Sequence, residues 1–135
     1  MTLIIDGTNK PLGRLATSVV DLLRRGYPVV VINAEKVVVS GTLSGVLPKF
    51  KRRYDLRTLS NPIRQTPRWP RTPEGIVRKA IAGMIHRKDR TRLLKRLRVF
   101  RGDPGIEGKR IELELRLPSR YVYVEEISRS LGGIR

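Results

Sequence analysis

The stretch "LIIDGTNKPLGRLATSVVDLLRRGYPVVVIN", residues 3–33, decides the fold. It predicts a short apolar strand, a turn, an amphipathic helix and a second strand of β-branched residues. Asn9 is placed to cap the helix, Pro11 suits its first turn, and Gly26 suits its end. Strand, helix and strand in this order are typical of an α/β unit.

The helix between these two strands has one apolar side and one polar side. The residues on its polar side are Arg14, Thr17, Asp21 and Arg25. After it, "PVVVINAEKVVVSG" at residues 28–41 contains two consecutive β-branched runs, the kind that lie buried on both faces of a parallel sheet. Ser40-Gly41 and Gly45 then predict a loop.

The second half of the chain contains further helix and strand patterns. Thr72 and Pro73 predict the start of a helix that ends at about Ile85. Its predicted apolar side consists of Ile76, Val77, Ala80, Ile81, Met84 and Ile85. A shorter helix is predicted within "DRTRLLKRLRVF" at 89–100. Three patterns follow it: a half-exposed strand in "RIELELRLP" at 110–118, another strand in "YVYV" at 121–124, and a short helix in "EEISRSLGG" at 125–133.

Positive charge dominates the composition. The 29 Lys and Arg residues stand against 12 Asp and Glu residues, for a net charge of +17. Residues 49–101 contain 18 basic and 3 acidic residues. Residues 1–48 contain 5 basic and 3 acidic residues, and residues 102–135 contain 6 basic and 6 acidic residues. Nucleic acid is the commonest partner for such a charge. Arg outnumbers Lys by 21 to 8, which favours defined phosphate contacts, because a guanidinium can bind phosphate through two parallel hydrogen bonds.

Several classes of protein are excluded by what the sequence lacks. Without cysteine, and with one histidine, it offers neither a disulfide framework nor a conventional zinc site, so we expect no metal and no cofactor. The longest apolar run is too short to cross a bilayer, and the first residues do not have the pattern of a signal peptide. We therefore expect an intracellular protein without a membrane partner.

A stretch rich in proline and arginine, "NPIRQTPRWPRTP" at residues 61–73, lies within the basic segment. Proline fixes φ and so reduces the entropy lost when a chain becomes ordered on a partner. Its three arginines are opposed by no acid in the stretch, so we predict that they contact phosphate. Trp69 is open to two interpretations, stacking on a base or packing over the edge of the core. We also expect residues 49–71 to be partly mobile without RNA, because few apolar anchors hold them.

The sequence gives little support for catalysis. His86 has no serine, cysteine or paired carboxylate placed to work with it. The first strand, turn and helix resemble a nucleotide-binding unit, but they have neither the G-x-G-x-x-G nor the G-x-x-x-x-G-K-[ST] spacing. Two alternatives stay open beside a specific RNA-binding protein. One is a general nucleic-acid-binding or DNA-compacting protein, and the other is an enzyme that holds a nucleotide at the first helix.

Five stretches together resemble the universal family of large-subunit ribosomal protein thirteen, in that family's order. They are "IDGTNKPLGRLATSVVDLLRRG", "VVVINAEKVVVSG", "NPIRQTPRWPRTP", "IVRKAIAGMI" and "LLKRLRVFRGDP". The ending "YVYVEEISRSLGG" is similar to the archaeal branch. The family often shows Gly-Pro-x-His-x-Arg-x-Pro where this chain has residues 66–73, so Arg71 and the prolines carry over but the glycine and histidine do not. Trp69 and His86 take no role from the resemblance.

This resemblance implies a non-enzymatic structural protein of the large ribosomal subunit, located in the cytoplasm, that binds large-subunit ribosomal RNA and supports subunit assembly. Its expected partners are this RNA and neighbouring ribosomal proteins, without homo-oligomer formation. The implied fold is α/β, a three-layer α/β/α body with a mostly parallel sheet of about four strands and a basic RNA-binding extension or loop region.

We expect one domain over residues 1–135. Residues 1–48 form a strand-helix-strand body, residues 49–101 a basic RNA-binding region with two helices, and residues 102–135 the C-terminal strands and a short helix. The predicted phosphate contacts share a location in or near the basic segment's helices and its proline-rich stretch. They are Arg52, Arg53, Arg64, Arg68, Arg71, Lys79, Arg87, Lys88, Arg92, Lys95 and Arg96.

Overall fold

The structure is a computed structural model, and it describes residues 2–54 and 70–132. In chain order its elements are β1 (Leu3–Asp6), α1 (Leu12–Arg24), β2 (Val29–Ile32), a short 3₁₀ turn (Ala34–Lys36), β3 (Val38–Ser40), α2 (Leu43–Tyr54), α3 (Pro73–Gly83), α4 (Arg90–Leu94), β4 (Leu97–Val99), β5 (Lys109–Ile111), β6 (Tyr121–Tyr123) and α5 (Val124–Ser130). Strands and helices alternate only in the first part of the element order, up to α2.

The central sheet consists of four parallel strands in the order β4-β2-β1-β5. β1 pairs with β2 from Leu3 opposite Val29 to Asp6 opposite Ile32. All four residues of β2 are buried, as expected for a β-branched run inside a parallel sheet. The predicted α/β class, with a mostly parallel sheet of about four strands, is confirmed.

The main core lies between this sheet and the helices. Ile5, Val29 and Val31 are buried there with residues of α1, α3 and α5. Ile4, Val30 and Ile32, which alternate with them along the strands, form a second cluster against Phe100 and Ile106. Full burial of one such side chain contributes about 1.5–3 kcal/mol, so both faces of the sheet stabilise the fold.

The second β-branched run leaves the parallel sheet. It forms β3, which pairs antiparallel with β6, and of its three residues only Val38 is buried. Between the two runs Asn33 has a φ of +55°, a left-handed conformation that asparagine adopts more readily than most residues. The 3₁₀ turn then redirects the chain. The expectation that both runs lie in the parallel sheet was therefore wrong for β3.

Helix α2 occupies the position of the predicted loop after Ser40. The hydroxyl of Thr42 accepts a hydrogen bond from the Gly45 N–H at 3.3 Å, and its carbonyl accepts one from the Val46 N–H at 2.9 Å. This cap satisfies the first turn of a helix that also contains Pro48. The loop prediction was wrong because Gly45, which disfavours helices, lies in the first turn of a capped helix.

The helix predicted over residues 89–100 is shorter than expected. α4 ends at Leu94, and Leu97–Val99 forms β4, in which Val99 lies opposite Val31 of β2. Hydrogen bonds to a distant strand override the local helical pattern here. Part of the basic segment thus belongs to the central sheet.

The beginning of α1 also differs from the prediction. Pro11 is its N-cap, whereas Asn9 has a φ of +58° and accepts a hydrogen bond through Oδ1 from the Tyr123 hydroxyl at 2.9 Å. Asn9 therefore joins the turn to β6 rather than capping the helix, and that prediction was wrong. Gly26, with a φ of +95°, follows the end of the helix as expected.

The alternating segment at 110–118 forms a shorter strand than predicted. β5 ends at Ile111, which lies opposite Ile5 near the end of β1. Beyond it Leu113 and Leu115 still pack against the main core, whereas Glu112 is exposed. The predicted alternation holds for Leu113 and Leu115, but Leu117 of the same predicted side is 39% exposed.

The predicted features of α3 are mostly confirmed. The Thr72 hydroxyl caps it by accepting a hydrogen bond from the Gly75 N–H at 3.3 Å. Ile76 and Ile81 are buried as expected. Met84 was assigned to the apolar side, but it is 43% exposed because the helix ends at Gly83.

The remaining predictions have different outcomes. "YVYV" and "EEISRSLGG" correspond to β6 and α5, as predicted. No helix within the described residues is long and apolar enough to cross a membrane. The partial mobility expected for residues 49–71 mainly concerns residues 55–69, which lie outside the described residues, and it stays a prediction.

Candidate nucleic-acid interface

A group of exposed cations surrounds the short helix α4. Leu93 is buried and anchors this helix to the main core, so the polar side of the helix faces solvent. We call this group the α4 cation cluster, and all its members were predicted as phosphate contacts. Its members are Arg87, Lys88, Arg92, Lys95 and Arg96.

Most of this cluster has no opposing charge nearby. Arg92 lies 2.9 Å from Asp89, but both side chains are largely exposed, and such surface pairs contribute only about 0–1 kcal/mol. Within residues 2–54 and 70–132 the other four cations make no ion pair. The cluster therefore presents positive charge that a polyanion can neutralise.

Two nearby arginines serve the protein itself. Arg78 donates from Nη1 to the Leu97 carbonyl at 3.1 Å and from Nη2 to the Leu94 carbonyl at 3.4 Å. Arg90 donates to the Ile85 carbonyl at 3.5 Å. These guanidinium groups hold α3, α4 and β4 together, and neither was predicted as a phosphate contact.

The end of α1 extends this surface, which the sequence analysis missed. Arg96 Nη1 lies 3.8 Å from the position that a Cβ atom on Gly26 would occupy, so the two segments adjoin. Arg24 and Arg25 at this helix end are exposed, and Arg25 pairs with Asp21 at 3.2 Å. The sequence pattern placed Arg25 on the polar side of α1. It could not show that the end of α1 lies beside Arg96, because that contact depends on long-range packing.

The other predicted contacts lie apart from the α4 cation cluster or outside the described residues. Arg52 is exposed on α2, and Lys79 is exposed on α3. Arg53 belongs to α2, but the structure describes only its backbone. Arg64 and Arg68 lie outside the described residues. Of these residues, the structure describes the side chains of Arg52 and Lys79, and neither belongs to the α4 cation cluster.

Arg71 has a structural role before the first turn of α3. Its Nη1 donates to the Leu131 carbonyl at 3.3 Å, and its own carbonyl accepts a hydrogen bond from the fully buried Ser128 hydroxyl. These contacts connect the end of the proline-rich stretch to α5.

An apolar groove of about 510 Å³ lies between the start of α1 and the second half of α3. We call it the α1–α3 groove. Phe50 of α2 and Met84 lie on its wall, and the charged residues along it are Arg14 and Lys79. No acid is among the described residues that line it, so its charge also suits an anionic partner.

Polar groups also meet where β1 and β2 end. Asp6 Oδ1 accepts hydrogen bonds from the Thr8 N–H at 2.9 Å, the Thr8 hydroxyl at 2.6 Å and Asn33 Nδ2 at 3.0 Å. Glu35 Oε2 accepts from the Gly102 N–H at 2.9 Å. We call these five residues the carboxyl-end network, and it uses its polar atoms within the protein.

The pKa values of the nearby acids follow from these bonds. Burial alone would raise the pKa of Asp6, but hydrogen bonds from Thr8 and Asn33 outweigh it and hold the pKa below its ordinary value. The Gly105 N–H and then Arg110 lower the pKa of Asp103. These carboxyl groups stay ionised at neutral pH and do not suit proton transfer.

The described residues show no constellation for catalysis or metal binding. His86 is exposed, and its Nδ1 accepts a hydrogen bond from the Lys88 N–H at 3.2 Å. Among residues 2–54 and 70–132, His, Asp and Glu side chains form no group of three able to hold a metal ion. The surface chemistry is that of cations and an apolar groove.

These observations define a class, a basic α/β protein whose surface is suited to a polyanion. The chain belongs to the ribosomal protein L13 family, whose family model matches residues 1–105. The resemblance found in the sequence is therefore confirmed.

Similar proteins from Archaea extend this match through the C-terminal segment. The large ribosomal subunit protein uL13 of Sulfolobus acidocaldarius is 37% identical over 139 residues, which cover 98% of this chain and 94% of that protein. The uL13 protein of Methanosphaera stadtmanae is 38% identical, with 98% and 99% covered. That of Saccharolobus solfataricus is 37% identical, with 96% and 91% covered.

Proposed function

We propose that this protein is a structural constituent of the large ribosomal subunit that binds large-subunit ribosomal RNA and supports subunit assembly. It is not an enzyme, in keeping with its family. The observation that carries the RNA-binding proposal is the α4 cation cluster. Four of its five exposed cations lack an ion pair within the described residues, on a chain with a net charge of +17.

RNA phosphates supply the charge that this surface lacks. The proposed contacts are those predicted from sequence, namely Arg52, Arg53, Arg64, Arg68, Arg71, Lys79, Arg87, Lys88, Arg92, Lys95 and Arg96. Arg24 and Arg25 join them, because α1 ends beside Arg96. Each phosphate contact releases counterions, so affinity falls as salt rises.

The rest of the proposed function follows from this assembly. The protein acts in cytoplasmic ribosomes, beside neighbouring ribosomal proteins and without homo-oligomer formation. It is one domain in which residues 49–101 supply the RNA surface, although α3 and β4 of this segment also contribute to the core.

The test removes three charges from the α4 cation cluster. A variant with Arg87→Gln, Lys88→Gln and Arg96→Gln keeps the chain length and changes exposed side chains. The slope of the logarithm of affinity for large-subunit RNA against the logarithm of salt concentration should decrease by about three, one for each lost contact. Filter binding at several salt concentrations measures this slope.

A matched variant controls for total charge. Lys109→Gln, Arg116→Gln and Arg120→Gln also removes two arginines and one lysine, all exposed, from the C-terminal segment. Its salt slope should change much less. Equal slopes for both variants would refute the assignment to α4. Equal affinity of the wild type for duplex DNA and folded ribosomal RNA would instead favour a general nucleic-acid-binding protein.

A further inference from the structure

The α1–α3 groove has two glycines on its wall that packing among the described residues does not require. Beyond its own helix, a Cβ atom on Gly13 or on Gly83 would have no atom of the described residues within 4 Å. Neither residue has a φ in the left-handed region. Glycine within a helix is less stable than alanine, so these two positions lose helix stability without a steric need inside the protein.

The same glycines leave the backbone of α1 and α3 accessible to a partner. Glycine commonly stands where a ligand or another chain approaches the backbone closely. Gly13 lies in the first turn of α1 and Gly83 is the last residue of α3, and both line the groove. The groove therefore has room for a flat group that contacts both helices.

The charge and polarity of the groove indicate what this group is. Its described lining is largely apolar, with Met84 43% exposed at the end of α3. Arg14 is exposed and makes no ion pair with any described residue, and Lys79 adds a second positive charge. A nucleotide has this combination, because its base offers an apolar face and its phosphate a negative charge.

We infer that the α1–α3 groove binds one unstacked nucleotide of the RNA, with the base between Gly13 and Gly83 and the phosphate at Arg14. This inference rests on the proposed RNA-binding function and adds a specific contact to it. The volume of about 510 Å³ lies within the range of roughly 300–1,000 Å³ typical of small-molecule sites. Sequence-specific RNA recognition commonly targets such splayed-out bases.

The first test fills the groove without changing charge. Gly13→Ala and Gly83→Ala should each keep or raise the melting temperature, because alanine favours the helix. Each should weaken binding to large-subunit RNA by roughly tenfold, since loss of one base contact has an effect of this order. The salt slope should stay as in the wild type, because no phosphate contact is removed.

Ser18→Ala is the matched control, because it lies on α1 outside the groove and also raises helix propensity. It should bind RNA as the wild type does. Wild-type affinity of both glycine variants would overturn the inference but leave the proposed function intact. Failure of the wild-type protein to bind the RNA would instead refute the proposed function.

A second test identifies the occupant through Met84. Peroxide oxidation of this thioether, followed by mass spectrometry, should be slower in the complex with large-subunit RNA than in the free protein. The Gly83→Ala variant should lose much of this protection. Equal oxidation with and without RNA would show that the groove stays open and would overturn the inference. Protection only in complete large subunits would assign the groove to a protein segment and likewise overturn it.

Discussion

The carboxyl-end network and the α4 cation cluster use their polar groups in opposite ways. In the network, Asp6 accepts three hydrogen bonds and Glu35 accepts one, all from the protein itself. In the cluster, only Arg92 has an ion pair within the described residues. The first region is saturated internally, and the second presents charge to a partner.

This difference bears on where the proposed RNA surface lies in this α/β fold. The carboxyl ends of parallel strands are the usual position for a ligand in open α/β sheets. Here Asn33 links the ends of β1 and β2 by donating to Asp6, and its N–H donates to the Gly102 carbonyl at 2.9 Å. The polar groups at these strand ends are therefore used within the protein, and the proposed RNA surface lies on the helices instead.

The largest effect on this comparison is expected from Asp6→Ala. The change leaves the donors of Thr8 and Asn33 without their acceptor and should lower the free energy of unfolding by about 2–3 kcal/mol. Urea denaturation measures the loss. RNA affinity below the unfolding transition should stay as in the wild type. A loss of RNA affinity with unchanged stability would place the carboxyl-end network in the binding surface. The two regions would then no longer differ in role.

Arg78→Ala tests whether basic residues of one segment divide into the same two roles. It removes hydrogen bonds to the carbonyls of Leu94 and Leu97 and should cost about 1–2 kcal/mol of stability, with little change in the salt slope. Lys88→Ala is the comparison variant, and it should lower the slope by about one while leaving stability nearly unchanged. A large loss of stability for Lys88→Ala, together with a lower salt slope for Arg78→Ala, would contradict these two roles.

Acid should weaken the carboxyl-end network. The pKa of Asp6 is lower in the folded protein than the ordinary value of 3.8, so the ionised carboxylate stabilises the fold fully above that value. This contribution is lost as the pH falls through the lowered folded pKa. The loss should be smaller than for Asp6→Ala, because the protonated carboxyl still accepts hydrogen bonds.

Thermal unfolding between pH 6 and pH 2 measures this dependence. Asp6→Asn keeps a side chain of similar size that does not titrate, so its melting temperature should decrease less over this range. An identical acid dependence in the wild type and the Asn variant would show that other groups cause it.

The central part of the fold could be predicted from the sequence because its signals are local and mutually consistent. The apolar side of α1 and the β-branched run of β2 predict a parallel unit without any distant contact. β4 lacks such a signal, since its three residues continue the helical pattern of "RLLKRL" and become a strand only by pairing with β2. Its assignment therefore depended on tertiary structure.

The candidate site was predictable to a similar extent and for a similar reason. The concentration of positive charge identified the α4 cation cluster directly. Sequence alone could not separate Arg78, which binds carbonyls, from Arg87, which faces solvent, because both belong to the same basic segment. Nor could it place Gly26, just after α1, beside Arg96, because the two are distant in the chain.

The smallest expected effect concerns Asp89, the acid paired with Arg92 of the α4 cation cluster. Asp89→Asn removes the exposed ion pair with Arg92 and should change stability by no more than about 0.5 kcal/mol. It should raise RNA affinity slightly, since Arg92 loses a competing anion and the phosphates lose a repelling one.

Asp21→Asn offers a control of the same kind, because Asp21 pairs with Arg25 at the end of α1 beside Arg96. If α1 shares the binding surface, both variants should strengthen binding at low salt and lose the gain at high salt. A gain for Asp89→Asn alone would restrict the RNA surface to α4, and a gain for neither would show that these exposed acids are already separated from the phosphates.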